Sequence, residues 1–94
     1  MFDIRMGEGN GLVLSGRLDA SQAPRAEQVL DTLDRSVEAD LAGLEYVSSA
    51  GLAVLVKTQL RLQKSGHRLR LRNVQPQVRA VLHFAAVDGF LGIE

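Results

Sequence analysis

The spacing of apolar residues changes repeatedly within these 94 residues, and this alternation limits the possible folds more than any other feature. Apolar and polar residues alternate over Phe2–Met6, and apolar residues return from Leu12 to Leu14 after a glycine-rich turn, which predicts a β-hairpin. Helical and strand-like spacings then follow one another, which predicts the order ββαβαβα. This order is typical of an α/β domain with a mixed sheet whose later strands are parallel.

Three segments have helical spacing. The first follows Ser21, a predicted N-cap, and the second begins at Ser48 or Ser49 and runs to Lys64. The third starts at Pro76, a residue tolerated in the first turn of a helix, and a turn at Asp88-Gly89 ends it.

Short strands are predicted over Val37–Leu41 and His67–Val74, and Phe90–Ile93 is a candidate for a last strand. Gly16–Ala20 and Ala42–Val47 are predicted to be connections, because their patterns fit neither period. We therefore expect an α/β fold with a mixed sheet of four to five strands and about three to four helices. It would form a single layer-packed domain over residues 1–94.

The composition excludes several classes of protein. The chain has no cysteine, which excludes disulfides, thiolate metal sites and cysteine nucleophiles and favours a reducing compartment. Its longest apolar run, Gly51–Val56, is far too short to span a bilayer. We expect a cytoplasmic protein without membrane insertion. The formal net charge is zero and only four residues are aromatic, which argues against nucleic-acid binding.

Catalytic patterns are sparse. Neither His67 nor His83 is spaced to pair with a nucleophile or a metal ligand. The glycines at 7, 9 and 11 lie in a hairpin turn and do not open a helix, so they lack the geometry of a phosphate-binding loop. The sequence predicts no catalytic residue, no metal site and no cofactor.

The most informative segment is Ser48–Leu52, where two serines precede an apolar helix. One interpretation is purely structural: Ser48 or Ser49 caps the helix, while Gly51 lets it pack closely on the sheet. The other is regulatory. A helix N-terminus tolerates a phosphate, and that added charge would weaken docking of a partner at this surface.

At these residues the chain resembles the STAS domains of bacterial anti-sigma-factor antagonists. The resemblance covers essentially every residue and is carried by Leu12–Ala20, by Tyr46–Leu52 and by Phe84–Phe90. It implies a partner-switching regulator that binds a serine-kinase anti-sigma factor when unphosphorylated and is released when that kinase phosphorylates a serine. A PP2C-type phosphatase would reset it. The domain itself would be no enzyme, and we expect a monomer or a weak dimer.

The resemblance also implies the site. The best-known members have Asp-Ser-Ser-Gly-Leu and are phosphorylated on the serine before glycine, a position that Ala50 occupies here. Ser49 is then the favoured phosphoacceptor and Ser48 the second choice. Asp19 matches an acidic residue in the neighbouring loop of the family. The partner-binding residues implied are Asp19, Ser48, Ser49, Ala50, Gly51 and Leu52.

A second hypothesis remains open beside the regulatory one. The chain would be a constitutive STAS-like structural subunit of an ABC lipid-transport complex. For such a subunit, the missing acceptor at Ala50 would be no defect.

Overall fold

Alternating apolar residues and well-placed turn residues divide the chain into the predicted order ββαβαβα. The computed structural model describes residues 1–87 and 89–93, so the predicted turn residue Asp88 lies outside the described part. Within that part, the strands are β1 (Phe2–Met6), β2 (Gly11–Leu18), β3 (Val37–Val47) and β4 (Leu69–Arg72), and the helices are α1 (Ala23–Leu30), α2 (Ser49–Lys64) and α3 (Pro76–Phe84).

The strands form one mixed sheet in the order β1-β2-β3-β4. β1 and β2 are antiparallel, whereas β3 is parallel to both β2 and β4. Leu12 lies opposite Ala39, which lies opposite Leu71, and all three side chains are buried. Their neighbours Glu38 and Arg70 alternate with them and are half-buried and exposed. The sheet therefore has one apolar face, covered by the helices, and one polar face.

β3 is longer than predicted because two β-bulges interrupt its alternation. The register with β2 shifts twice, each time with one extra residue in β3. Buried residues are therefore two apart up to Leu41 and three apart afterwards, at Leu44 and Val47. A bulge breaks the two-residue pattern while the strand continues, so the prediction of a connection over Ala42–Val47 is wrong.

The second incorrect connection, Gly16–Ala20, has a similar cause. β2 continues to Leu18. Gly16 has φ +83°, and a Cβ atom there would lie 1.6 Å from the Met1 carbonyl oxygen, which accepts a 3.0 Å hydrogen bond from the Arg17 N–H. Gly16 thus lies where the two strands of the hairpin approach each other closely, and it does not end a strand.

Three smaller predictions at element boundaries are also corrected. The N-cap of α1 is Gln22, without a side-chain hydrogen bond, and not Ser21. The fourth strand is confined to Leu69–Arg72. The candidate last strand is reduced to a single parallel bridge between Leu71 and Ile93.

A buried amide joins α2 to the outer edge of the sheet. Gln59 is 2% exposed, and its Oε1 accepts a 2.7 Å hydrogen bond from the Leu69 N–H. Its Nε2 donates to the carbonyl oxygens of Leu69, at 2.9 Å, and Phe90, at 3.0 Å. Backbone groups that no neighbouring strand pairs are thereby satisfied inside the protein.

Polar contacts also join α2 to α1. The Arg61 guanidinium donates to the carbonyl oxygens of Leu33, at 2.8 Å, and Leu30, at 2.7 Å. Leu30 is the last residue of α1, where a cation is favourable, and Leu33 lies in the connection that follows it. One turn earlier, Lys57 Nζ lies 2.7 Å from Glu27 Oε2.

We expect Gln59→Leu to lower the free energy of unfolding by about 3 kcal/mol, because it leaves buried N–H and C=O groups without partners. Urea denaturation measures the change. Gln63→Leu is the matched control, since Gln63 is exposed on the same helix, and it should change stability by less than about 0.5 kcal/mol. Equal losses in the two variants would contradict the assigned role of Gln59.

Candidate functional site

The N-terminus of α2 lies directly against the end of β2. The Ser48 N–H donates to the Leu18 carbonyl oxygen at 2.9 Å. A Cβ atom on Gly51 would lie 2.6 Å from Leu18 Cγ and 2.8 Å from Leu18 O. Any side chain at residue 51 would therefore push the helix away from the strand.

Two adjacent serines at this helix end have different surroundings. Ser48 is the N-cap: its backbone is extended, and its hydroxyl oxygen accepts a 3.1 Å hydrogen bond from the Gly51 N–H. It is half-buried. Ser49 is the first residue of the helix and is exposed. The structure thus settles the predicted N-cap as Ser48 and leaves the side chain of Ser49 facing solvent.

The residues that follow the serines turn inward. Gly51 is buried, and Ala50 and Leu52 are half-buried and pack against the core. The first turn of α2 contains no acidic residue, so no carboxylate of that turn offsets the positive end of the helix dipole. A negative group added to Ser49 would be electrostatically favourable for the helix itself.

Asp19 organises the neighbouring loop between β2 and α1. Its Oδ1 accepts hydrogen bonds from the Ser21 hydroxyl at 2.7 Å, the Ser21 N–H at 3.1 Å and the Gln22 N–H at 3.2 Å. These bonds, above all that from the Ser21 hydroxyl, together with the charge of Arg17, hold the pKa of Asp19 below its ordinary value. Asp19 is therefore a turn-capping carboxylate. It follows Leu18, whose carbonyl is bonded to Ser48, so the two loops adjoin.

One feature beside these loops is not identified from the sequence. Arg17 and Tyr46 lie opposite each other at the ends of β2 and β3, and the Arg17 guanidinium carbon lies 4.3 Å from the centroid of the Tyr46 ring. Both side chains are exposed. A cation–π pair of this kind contributes about 0.5–1 kcal/mol at an exposed site. Only the strand register, which the bulges obscure, reveals the pair.

The residues between 1 and 87 and from 89 to 93 contain no group of three or more His, Cys, Asp or Glu side chains that could hold a metal ion. His67 lies in the connection after α2 and His83 at the end of α3, so neither belongs to the two adjoining loops. Within the described residues, no helix has both the length and the apolar composition needed to cross a bilayer.

Comparison with known proteins identifies the family of this chain. The family model described as "Mlab, STAS domain" matches residues 5–92. The chain belongs to the STAS domain family. A Bordetella bronchiseptica protein, BtrV, provisionally named an anti-sigma factor antagonist, is 37% identical over 83 residues, which cover 88% of this chain and 68% of BtrV. The predicted relationship to the anti-sigma-factor antagonists is thereby confirmed.

Solved structures confirm the predicted STAS fold. The anti-sigma factor antagonist SpoIIAA in its unphosphorylated form superposes with a TM-score of 0.80 at 19% identity, over 100% of this chain and 86% of SpoIIAA. The phosphorylated form of SpoIIAA, a Bacillus cell fate determinant, superposes with a TM-score of 0.74 at 18% identity. The superposition covers 100% of this STAS domain and 89% of the phosphorylated SpoIIAA chain. At these identities the likeness extends to the fold alone.

We expect Gly51→Ala to lower the free energy of unfolding by about 1–2 kcal/mol. The cost of overpacking against Leu18 exceeds the gain of about 1 kcal/mol that alanine brings to a helix interior. Chemical denaturation measures the difference. Gly7→Ala serves as control, because a Cβ atom there meets its nearest neighbour at 3.6 Å. A Gly51→Ala variant as stable as the wild type would refute the close approach.

Removal of the Ser21 hydroxyl should raise the pKa of Asp19 towards its ordinary value. A carboxyl whose pKa is lowered by folding stabilises the folded state above its ordinary pKa, and this stabilisation is lost as the pH falls through the lowered value. In Ser21→Ala this stabilisation should therefore be smaller, and its loss should be complete at a higher pH than in the wild type. Carbon-detected NMR titration of Asp19 measures the shift. Ser65→Ala, a distant exposed serine, should leave the titration unchanged.

Proposed function

We propose that this STAS domain is an anti-sigma-factor antagonist that works by partner switching. Unphosphorylated, it binds a serine-kinase anti-sigma factor through the surface around Asp19 and Ser48–Leu52. Phosphorylation by that kinase releases it, and a PP2C-type phosphatase restores binding. The domain acts as ligand and substrate and not as catalyst, ATP belongs to the kinase, and the cycle takes place in the cytoplasm.

The observation that carries the proposal is the exposed hydroxyl of Ser49 at the first position of α2. A kinase active site can reach this side chain without disturbing the helix. The helix N-terminus accommodates the new negative charge locally. The phosphate would therefore leave the fold of the domain intact and weaken the binding of a partner protein at this surface.

Ser48 is the less suitable acceptor. Its hydroxyl oxygen already caps α2 through the Gly51 N–H, and its side chain is half-buried. Phosphorylation of Ser48 would require a rearrangement of the cap. The geometry thus favours Ser49, although the best-known members of the family are phosphorylated one residue later, where Ala50 stands here.

The comparisons support the same class of function. BtrV carries the provisional name of an anti-sigma factor antagonist. SpoIIAA is an anti-sigma factor antagonist whose structure has been solved both with and without phosphorylation. A regulator of this kind needs an accessible acceptor on a rigid surface, which Ser49 provides.

We expect Ser49→Asp to weaken binding to the serine-kinase anti-sigma factor by about 100-fold or more. A charge buried in an interface without a counter-charge costs several kcal/mol, and each 1.4 kcal/mol is a factor of ten. Ser49→Ala should bind normally and should not be released by ATP. Isothermal titration calorimetry with the purified kinase measures both.

Two control variants distinguish an effect of the added charge on binding from an effect of the substitution on folding. Ser65→Asp places the same substitution at the other end of α2 and should leave binding within about threefold of the wild type. Ser48→Ala removes the cap and should lower stability by about 1 kcal/mol while binding persists. Undiminished binding by Ser49→Asp would refute the charge mechanism, and ATP-driven release of Ser49→Ala would move the acceptor to Ser48.

The constitutive alternative, a STAS-like structural subunit of an ABC lipid-transport complex, is favoured by one observation, the alanine at residue 50. Mass spectrometry of the protein from its own cells separates the two functions. A phosphate on Ser49 or Ser48 supports the switch. Stable co-purification with an ABC ATPase, without phosphate under several growth conditions, supports the subunit.

A further inference from the structure

An apolar stripe extends along the solvent side of α2, away from its N-terminus. Ser49, Ala53, Val56 and Leu60 follow one another at intervals of four, three and four residues, which places them on one face of the helix. Leu60 is 49% exposed although it lies in mid-helix. A shallow groove of about 440 Å³ lies beside this stripe, lined by Ala53, Val56, Lys57, Leu60, Arg61 and Lys64.

Three of the six residues that line this groove are cationic, and Glu27 and Asp31 act on only one of them, Lys57. α2 contains no acidic residue from Ser49 to Lys64. Lys57 is paired with Glu27, and Arg61 donates to the carbonyl oxygens of Leu30 and Leu33. Lys64 is exposed and forms no ion pair with the described residues. Of these cations, Lys64 is the one whose charge is least compensated.

We propose that this groove, hereafter the α2 groove, binds a helix of a partner protein that presents an apolar stripe flanked by carboxylates. The apolar centre of the groove would bury Leu60 against that stripe, and Lys64, the cation without an ion-pair partner among the described residues, would face the carboxylates. The proposal rests on the proposed function in one respect: it makes Ser49 the N-terminal end of a longer docking surface.

The charge of the groove decides between possible occupants. A second copy of this chain would bring the basic α2 against another α2 that has no acidic residue, so it supplies no complementary charge. The other strongly exposed apolar side chain on a helix, Phe84 at 88%, lies on α3 and not on the stripe that begins at Ser49. The combination of apolar stripe, positive rim and continuity with Ser49 occurs on α2.

Two designed helical peptides test the proposal with the intact protein. Both carry the same leucine stripe, flanked by glutamates in one peptide and by lysines in the other. ¹H–¹⁵N NMR titration should show that the glutamate peptide shifts amides from Ala53 to Lys64. Leu60→Gln should weaken its binding about tenfold and Lys64→Glu about threefold. The lysine peptide should bind at least tenfold more weakly than the glutamate peptide.

Matched variants control for general effects. Phe84→Gln removes another exposed apolar side chain, and Arg5→Glu reverses a charge on β1, so neither should change the affinity. Equal binding of both peptides, or shifts confined to α3 or the sheet, would overturn the proposal. Because the peptides require neither kinase nor phosphate, failure of the phosphorylation switch would leave these readouts unchanged, and the two ideas fail separately.

Discussion

The contact between Gly51 and Leu18 is the constraint on which the remainder of the site depends. It places the first turn of α2 against the end of β2 with no room for a Cβ atom, and the bond from Ser48 to the Leu18 carbonyl secures the same junction. Because β2 and β3 are parallel, both loops that follow them emerge at one edge of the sheet. The loop that contains Asp19 and the helix end that contains Ser49 adjoin for that reason.

Features set by local chemistry could be predicted from the sequence. The serine pair at 48 and 49 and Pro76 mark the starts of two helices, and α2 ends at Lys64 as predicted. Alternation predicted β1, and helical spacing predicted the three helices, although not which residues of α2 are buried. The fold class follows from the order of these elements, and a family motif at residues 48–52 added the function that local chemistry alone does not specify.

Features set by pairing between distant segments could not be predicted. The bulges of β3 exist only relative to β2, and without them neither the full length of the strand nor the stacking of Arg17 on Tyr46 can be inferred. Gln59 has the composition of a surface residue, yet it is buried because β4 and the Phe90 segment offer it backbone partners. Asp19, expected to lie in the docking surface, also holds its own loop together through Ser21.

The bulged part of β3 also restricts how related chains can vary in length. The two additional residues between Leu41 and Val47 place the side chains of Leu44 and Val47 in the core. They also place Ser48 opposite the end of β2, where it bonds to the Leu18 carbonyl oxygen. Deletion of a single residue there would reverse the side chains that follow, because neighbouring strand positions face opposite sides. In related chains we expect insertions and deletions in the turn at residues 7–10 but not between residues 41 and 47.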